Sequence, residues 1–373
     1  MAAYNGQPAR ANPRARADLP LWYRPLVRVA YFTKRKKRTG TPEGIERALR
    51  RAGHEVLAMH GGKRSRWLGG SIGLRRALRR FDPELVLIHN EDVSVEAFDT
   101  LGSGVRKVMF VDDCWRSPVL PERLGLAARV DLLLTVAAGQ IPELLEAGVA
   151  EAAWIAESHD PETHHPVPEA GPEWRSDVAF IGRTSPESFL HATRRELIGA
   201  VAKRFDLALY GRGWDALGLE ARRQDVFPEQ YRLVCAGAKI VLGRDWRDDC
   251  ARYCSNRTWL TLGCGGFLLT NHFPGIDELF ENHGQLVWYR STGECLELLE
   301  HYLERPEERR EIALAGHRYA REHRTVDDFV RDVFDRLAGR PPLFPPVRSG
   351  EGSEAGRCAG AVESGRPRDP APR

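Results

Sequence analysis

The sequence predicts an α/β protein made of two doubly wound, parallel-sheet domains in tandem. Three observations lead there. Short apolar runs alternate with amphipathic segments from Val27 to Leu337. Most of the runs, such as LVLIH (85–89) and DLLLTV (131–136), are apolar at successive positions, as strands buried on both faces are. The alternation breaks once, in the Pro-, Glu- and His-rich stretch SHDPETHHPVPEAGPEW (158–174), and then restarts. A chain of 373 residues is also long for one core, so two domains are expected.

Residues 1–20 show no periodicity and are expected to be a disordered leader. The first domain is placed at 21–157. VRVAYF (27–32) reads as its first strand, followed by the basic run KRKKR (34–38). Thr41 is suited to N-cap a helix with Pro42 at its first position, ending near Gly53. HEVLA is the second strand, Ile72–Phe81 a basic amphipathic helix and Leu85–His89 the third strand. Val105–Val111 is a strand running into Asp112-Asp113. A strand at Asp131–Val136, a helix at Ile141–Ala147 and a strand near Ala153–Ala156 complete the domain.

Residues 158–175 read as a hinge. His159, His164 and His165 invite a metal reading, but a Pro-flanked polar linker is the commoner cause of such a group. The second domain is placed at 176–338. It opens with DVAFIGR (177–183), a helix over 190–204 and LALYGRGW (207–214). A helix at Tyr231–Ala236 and a strand at Lys239–Leu242 precede SNRTWLTLGCGGFLLTN (255–271), which reads as helix, glycine break and buried strand. A strand at Leu286–Tyr289 and three helices, 295–303, 306–323 and 326–337, close the fold. The Pro/Gly/Ser-rich stretch 339–373 is expected to be a disordered tail.

Charge narrows the functional classes. Residues 1–80 hold 20 Lys and Arg against 4 Asp and Glu, while the remainder holds 35 against 48. A basic leading portion attracts phosphates or an anionic membrane surface; its plain alternative is a solvated helical face. No interleaved aromatics or known module support nucleic-acid binding. With no apolar leader or spanning segment, the expected address is cytoplasmic, with peripheral attachment at the inner membrane surface. Seven scattered cysteines fit reduced thiols, and Cys250 with Cys254 lacks the second pair that zinc needs.

In open parallel sheets ligands bind outside the strand carboxyl ends. That rule selects the loops after Phe32, His89 and Val111 in one domain, and after Ile181, Tyr210 and Thr270 in the other. His89, Asp112 and Asp113 are candidate catalytic groups, with Asn90-Glu91-Asp92 beside them; loop capping is the alternative. Gly182 and Gly211 allow close backbone approach to a ligand, and Arg183 follows as an anion clamp. Asn256 and Arg257 at a helix start, and Asn271 at a strand end, are candidates for the same anion. Gly265 and Gly266 read as a second close-approach point or as a helix C-cap. Asp277 and Glu278 read as hydroxyl contacts or as caps after Pro274-Gly275.

In this order and spacing the motifs DVAFIGR, ALYGRGW, SNR to LGCGGFLLTN, PGIDELF (274–280) and PEERREIALAGHRYAREHRTVDDFV (306–330), with GHEV (53–56), the strand-end Asp pair and SHDPETHHP, resemble group 1 glycosyltransferases of the GT-B fold, most closely the spore-maturation-protein-like branch. The resemblance implies two Rossmann-like domains around a cleft and a nucleotide-sugar donor held mainly by the second. It also implies transfer of a hexosyl unit to an acceptor without cofactor or catalytic metal; the basic run KRKKR (34–38), in the loop after the first strand, suggests that the acceptor is anionic or membrane-associated. Many relatives carry two Glu eight positions apart; here Arg252 and Leu260 stand in those places. That departure motivates an alternative, a non-catalytic nucleotide-sugar or glycan-binding protein on a degenerate GT-B scaffold.

Overall fold

A computed structural model describes residues 26–34, 40–61, 72–90, 93, 98, 101, 104–185, 188 and 191–344. The leader, most of KRKKR, Glu91, Asp92 and the tail beyond 344 lie outside the described residues.

The first sheet contains β1 (Arg28–Lys34), β2 (Glu55–Gly61), β3 (Leu85–His89), β4 (Arg106–Val111), β5 (Leu132–Thr135) and β6 (Ala152–Trp154). All pairings are parallel, in the order β2-β1-β3-β4-β5-β6. Helices α1 (Thr41–Arg51), α2 (Ile72–Phe81), α3 (Pro121–Ala127) and α4 (Ile141–Glu146) connect the strands. Side-chain alternation sorts the strand residues into two layers. Val29, Tyr31, Leu85, Leu87, Val108 and Phe110 enter one core; Ala30, Phe32, Val86, Ile88, Met109 and Val111 enter the other.

The second sheet contains β7 (Ser176–Ile181), β8 (Leu207–Tyr210), β9 (Ala238–Leu242), β10 (Leu268–Asn271) and β11 (Val287–Tyr289), ordered β11-β10-β9-β7-β8 and again parallel. Its helices are α5 (Ala192–Ala202), α6 (Pro228–Gly237), α7 (Arg257–Gly263), α8 (Thr292–Leu303) and α9 (Pro306–His323). Both sheets therefore repeat one winding, with the strand order reversing between β1 and β3 and between β7 and β9.

The last helix, α10 (Val326–Leu337), leaves the second domain and packs on the first. Its Val326, Phe329, Val330, Val333 and Leu337 join the core that holds Val29, Tyr31, Ile45 and Leu49. Cys250 and Tyr253 of the loop before α7 enter the same core. A Cβ on Gly44 of α1 would lie 3.1 Å from Asp160 and 3.2 Å from Val326, so α1 sits as close to the hinge and α10 as a glycine allows.

Two chain crossings run side by side. His159 pairs with Thr325 in a parallel bridge, with the Val326 N–H donating to the His159 carbonyl at 2.9 Å. The fully buried Arg324 donates to the carbonyls of Ala156 and Glu157 and ion-pairs with Asp332 at 3.2 Å.

Local expectations are corrected in places. Gly40, not Thr41, is the residue preceding α1, with Pro42 inside the first turn. The helix α3 had no legible periodicity, being only seven residues long. His159 and His164 serve the hinge rather than a metal, with His159 Nδ1 3.0 Å from the Arg324 carbonyl oxygen. Cys114, Cys235, Cys254, Cys264 and Cys295 are free and buried, whereas Cys250 is disulfide-bonded, against the all-reduced reading. Among the described residues no helix is long and apolar enough to cross a membrane.

Candidate active site at the strand ends

At the β7/β9 reversal, β7 runs into Gly182 and Arg183, and β9 into Gly243, Arg244 and Asp245. Arg257, the first residue of α7, donates from Nη2 to Asp245 Oδ1 at 2.8 Å and reaches the Ile181 carbonyl at 3.4 Å. The other Asp245 oxygen accepts from the Ser255 N–H at 3.1 Å, and the Asp245 N–H donates to Asn271 Oδ1 at 2.8 Å. Arg257, Asp245 and Asn271 thus form one ring. Burial opposes the Arg257 charge, but the Asp245 carboxylate more than restores it, so its pKa is raised. Its Nε–H is buried without an acceptor.

Arg194 of α5 ties the same strand ends together, donating to the carbonyls of Arg183 (2.8 Å) and Arg244 (3.2 Å). Burial, with Arg257 close by, pushes its pKa down to about 10, which leaves it charged at neutral pH. Against these engaged arginines, the Arg183 side chain is exposed and has no partner among the described residues. Gly182 and Gly211 mark where the ends of β7 and β8 converge. Gly211 has φ +122°, and a Cβ there would sit 2.3 Å from the Gly182 carbonyl oxygen. A cavity of about 290 Å³ opens beside this ring, lined by Arg244, Asn271, His272, Tyr289 and Arg290.

The first domain presents different chemistry at its own reversal. The Tyr31 hydroxyl lies 3.0 Å from His89 Nδ1, and His89 Nε2 lies 2.9 Å from Asp112 Oδ2. Burial holds the Tyr31 pKa well above its usual value, so the phenol stays protonated. The Asp112 carboxylate can only accept, so the facing His89 Nε2 carries a proton and donates it. Asn90, at φ +57°, donates to Asp112 Oδ1 at 2.8 Å and accepts from the Asp112 N–H at 3.1 Å. His89 is 2% exposed and the Asp112 side chain 32%, so the carboxylate, not the imidazole, meets solvent.

Asp113 does another job. Its Oδ1 accepts from the Tyr253 hydroxyl at 2.6 Å and the Trp246 Nε1–H at 3.0 Å, joining β4 to the loop before α7. Desolvation raises its pKa despite those bonds. Glu157, at the hinge, is 1% exposed; burial, with Asp112 and Asp113 adding to it, holds its pKa well above the carboxylate range. A proton retained by the folded state and lost by the unfolded one favours folding only at low pH. That contribution is complete below the ordinary Glu pKa and is lost as pH rises toward the folded pKa. Glu157→Gln should therefore raise the melting temperature at pH 8 and flatten its decline between pH 5 and 8; a parallel decline in wild type and variant would refute a protonated Glu157. On the acid side, His159 and His164 have pKa values pushed down to about 4 by burial, so stability should fall as pH drops below 6.5.

Other candidates lie elsewhere. Helix α7 begins at the strand carboxyl ends but spans about 10 Å along its axis, so its last turn is at the opposite sheet edge. Gly265 there has φ +73° and faces Pro166, while Gly266 packs on Thr261 and Cys235. The glycine pair closes a helix and is not brought to Arg183 and Arg257. Asn256 precedes α7 without a side-chain cap bond. Asp277 is exposed on a short turn, Ile276–Glu278, and Glu278 is ion-paired with Arg252. Arg252 is itself buried, its guanidinium 5.0 Å from the Trp154 ring centre, and Leu260 packs with Tyr231 and Val241.

Tyr31, Glu157, Arg194 and Asp245 were not among the sequence candidates. Asp245 was reachable by applying the strand-end rule to Leu242. Tyr31 sits in an apolar run, Glu157 borders the polar hinge stretch, and nothing in ATRREL marks Arg194 as buried.

The comparisons agree with this architecture. Residues 171–335 match the family model described as glycosyl transferase-like. No curated protein sequence matches the chain significantly. HepE of Anabaena, solved with UDP and glucose, is 14% identical over 84% of this chain and 100% of its own, with TM-score 0.57. Sucrose-phosphate synthase of Thermosynechococcus elongatus is 9% identical over 84% and 99%, with TM-score 0.61. AviGT4, a glycosyltransferase involved in avilamycin A biosynthesis, is 18% identical over 84% and 98%, with TM-score 0.51. At such identities the likeness is one of fold. The chain thus has the GT-B fold of these structures, and its residues 171–335 are similar to the glycosyl transferase-like family.

Proposed function

We propose that the protein transfers a hexosyl unit from a nucleoside-diphosphate sugar to an acceptor hydroxyl, without metal or cofactor. The observation that carries the reading is the opposite chemistry of the two reversal points. Arg183, Arg194 and Arg257 gather at one; a solvent-facing carboxylate, Asp112, stands at the other. A departing nucleoside diphosphate gains negative charge, and fixed cations placed where that charge develops lower the barrier. Arg183 meets the diphosphate from solvent, Arg257 offers its unspent Nε–H, and Gly182 lets the backbone approach. The nucleoside end extends toward the cavity beside Asn271 and Tyr289. Asp112, oriented by His89 and Asn90, takes the acceptor proton. HepE was solved with UDP-glucose as well, so uridine nucleotides are the first donors to test.

Arg183→Ala tests the reading. Slow UDP release from a UDP-sugar should fall about 100-fold, while the melting temperature of the free protein should stay unchanged, since that side chain has no partner to lose. Saturating donor, at 100 times its dissociation constant, should stabilise wild type by about 2.7 kcal/mol. Binding without turnover on any acceptor would instead favour a carbohydrate-binding protein on a GT-B scaffold, a reading that the burial of Arg252 and Leu260 keeps in play.

A further inference from the structure

We propose that the outer face of α2 is a docking surface for an anionic lipid bilayer. The helix turns Leu74 and Leu78 toward the core layer under β1 and β3. Its opposite face carries Arg75, Arg76, Arg79 and Arg80, all exposed. None of the four has a hydrogen bond or ion pair among the described residues. The acids that follow the helix are already engaged: Arg28 pairs with Asp82 at 3.1 Å and Glu84 at 3.7 Å. The helix contains no acidic residue.

Several exposed arginines on other helices are paired within their own helix: Arg50 with Glu46, Arg310 with Glu307, Arg331 with Asp328. On α2 the i, i+4 positions instead set Arg75 against Arg79 and Arg76 against Arg80, an arrangement that opposes the isolated helix. A stripe two residues wide, without a groove or a buried polar anchor among the described residues, suits a fluid array of headgroups better than one polymer. Long arginine stems can lie along the apolar boundary with their guanidinium groups among phosphates. Such a surface holds the protein by charge, and no spanning helix is required. The inference does not depend on how the cleft is read.

The test uses the full chain and sucrose-loaded vesicles of phosphatidylcholine with or without phosphatidylglycerol. Wild type should sediment with the anionic vesicles, not the neutral ones, and release in high salt. Each arginine near an anionic surface contributes about fivefold in partition, so Arg75, Arg76, Arg79 and Arg80→Gln together should weaken binding at least about 100-fold. Glutamine keeps helix propensity, and an unchanged melting curve establishes that the variant is folded. Equal sedimentation of wild type and the quadruple variant would overturn the proposal. So would tight, arginine-dependent binding to soluble polyphosphate with none to vesicles, which would make the partner a polymer.

Discussion

Replacing Arg324 by leucine should lower the unfolding free energy by about 3–5 kcal/mol, the usual cost of leaving half of a buried ion pair behind. Arg324 is fully buried, faces Asp332 at 3.2 Å, and donates to two carbonyls of the chain crossing at 156–157. The leucine variant strands all three acceptors. Arg336 lies 3.3 Å from the other Asp332 oxygen and softens the loss, placing the expected value at the lower end. Urea denaturation read by tryptophan fluorescence measures it. The charge alone is not enough: Arg324→Lys should recover less than half, because one ammonium cannot serve the acceptors that a planar fork serves. A loss under 1 kcal/mol would show that the crossings hold without the pin.

Asp112→Asn should reduce turnover of a bound nucleotide sugar by about 10²–10⁴, the span attributed to a positioned general base. Donor affinity should stay within about threefold, because Asp112 belongs to the first domain and the arginine ring to the second. Asparagine keeps the size of the side chain and can still accept the His89 Nε2–H through its carbonyl oxygen, but its amide then opposes the Asn90 Nδ2–H, so the loss combines the missing charge with one lost hydrogen bond. Thermal shift with the donor and hydrolysis in the same buffer separate the two quantities. His89→Phe, which removes the orienting bond but keeps Asp112, should lose less than Asp112→Asn. Full hydrolysis in the asparagine variant would remove Asp112 from the chemistry and leave the arginine ring as the whole catalyst.

Much of this was legible before any coordinates. Buried parallel strands write themselves as apolar runs, so β3, α2, α9 and α10 fall where periodicity puts them. The strand-end rule brought His89, Asp112 and Arg183 forward because it needs only strand direction, and Arg257 came from its place at a helix start. The close-approach reading of the glycines at 265 and 266 had no such guide, since a short helix carries the chain from one sheet edge to the other and spacing alone does not show the edge. The strand-end rule could not separate Asp112 from Asp113. Adjacent residues on a strand end point to opposite sides, and which side faces the cleft depends on Tyr253 and Trp246, more than 130 positions away. Glu157 illustrates a further limit: a carboxylate in WIAESHD reads as a polar linker residue, and only the tertiary packing shows it buried.

The return of α10 to the first domain has a consequence for synthesis. The core shared by β1, β3 and α1 takes in Val326, Phe329, Val330 and Val333, so that domain is not encoded by one uninterrupted stretch. While the ribosome adds the second domain, the first presents an open apolar face for the time needed to make well over a hundred residues, on the order of ten seconds or more at 5–20 residues per second. The nascent first domain is then a candidate client for chaperones, and its folding is finished by the helix made last.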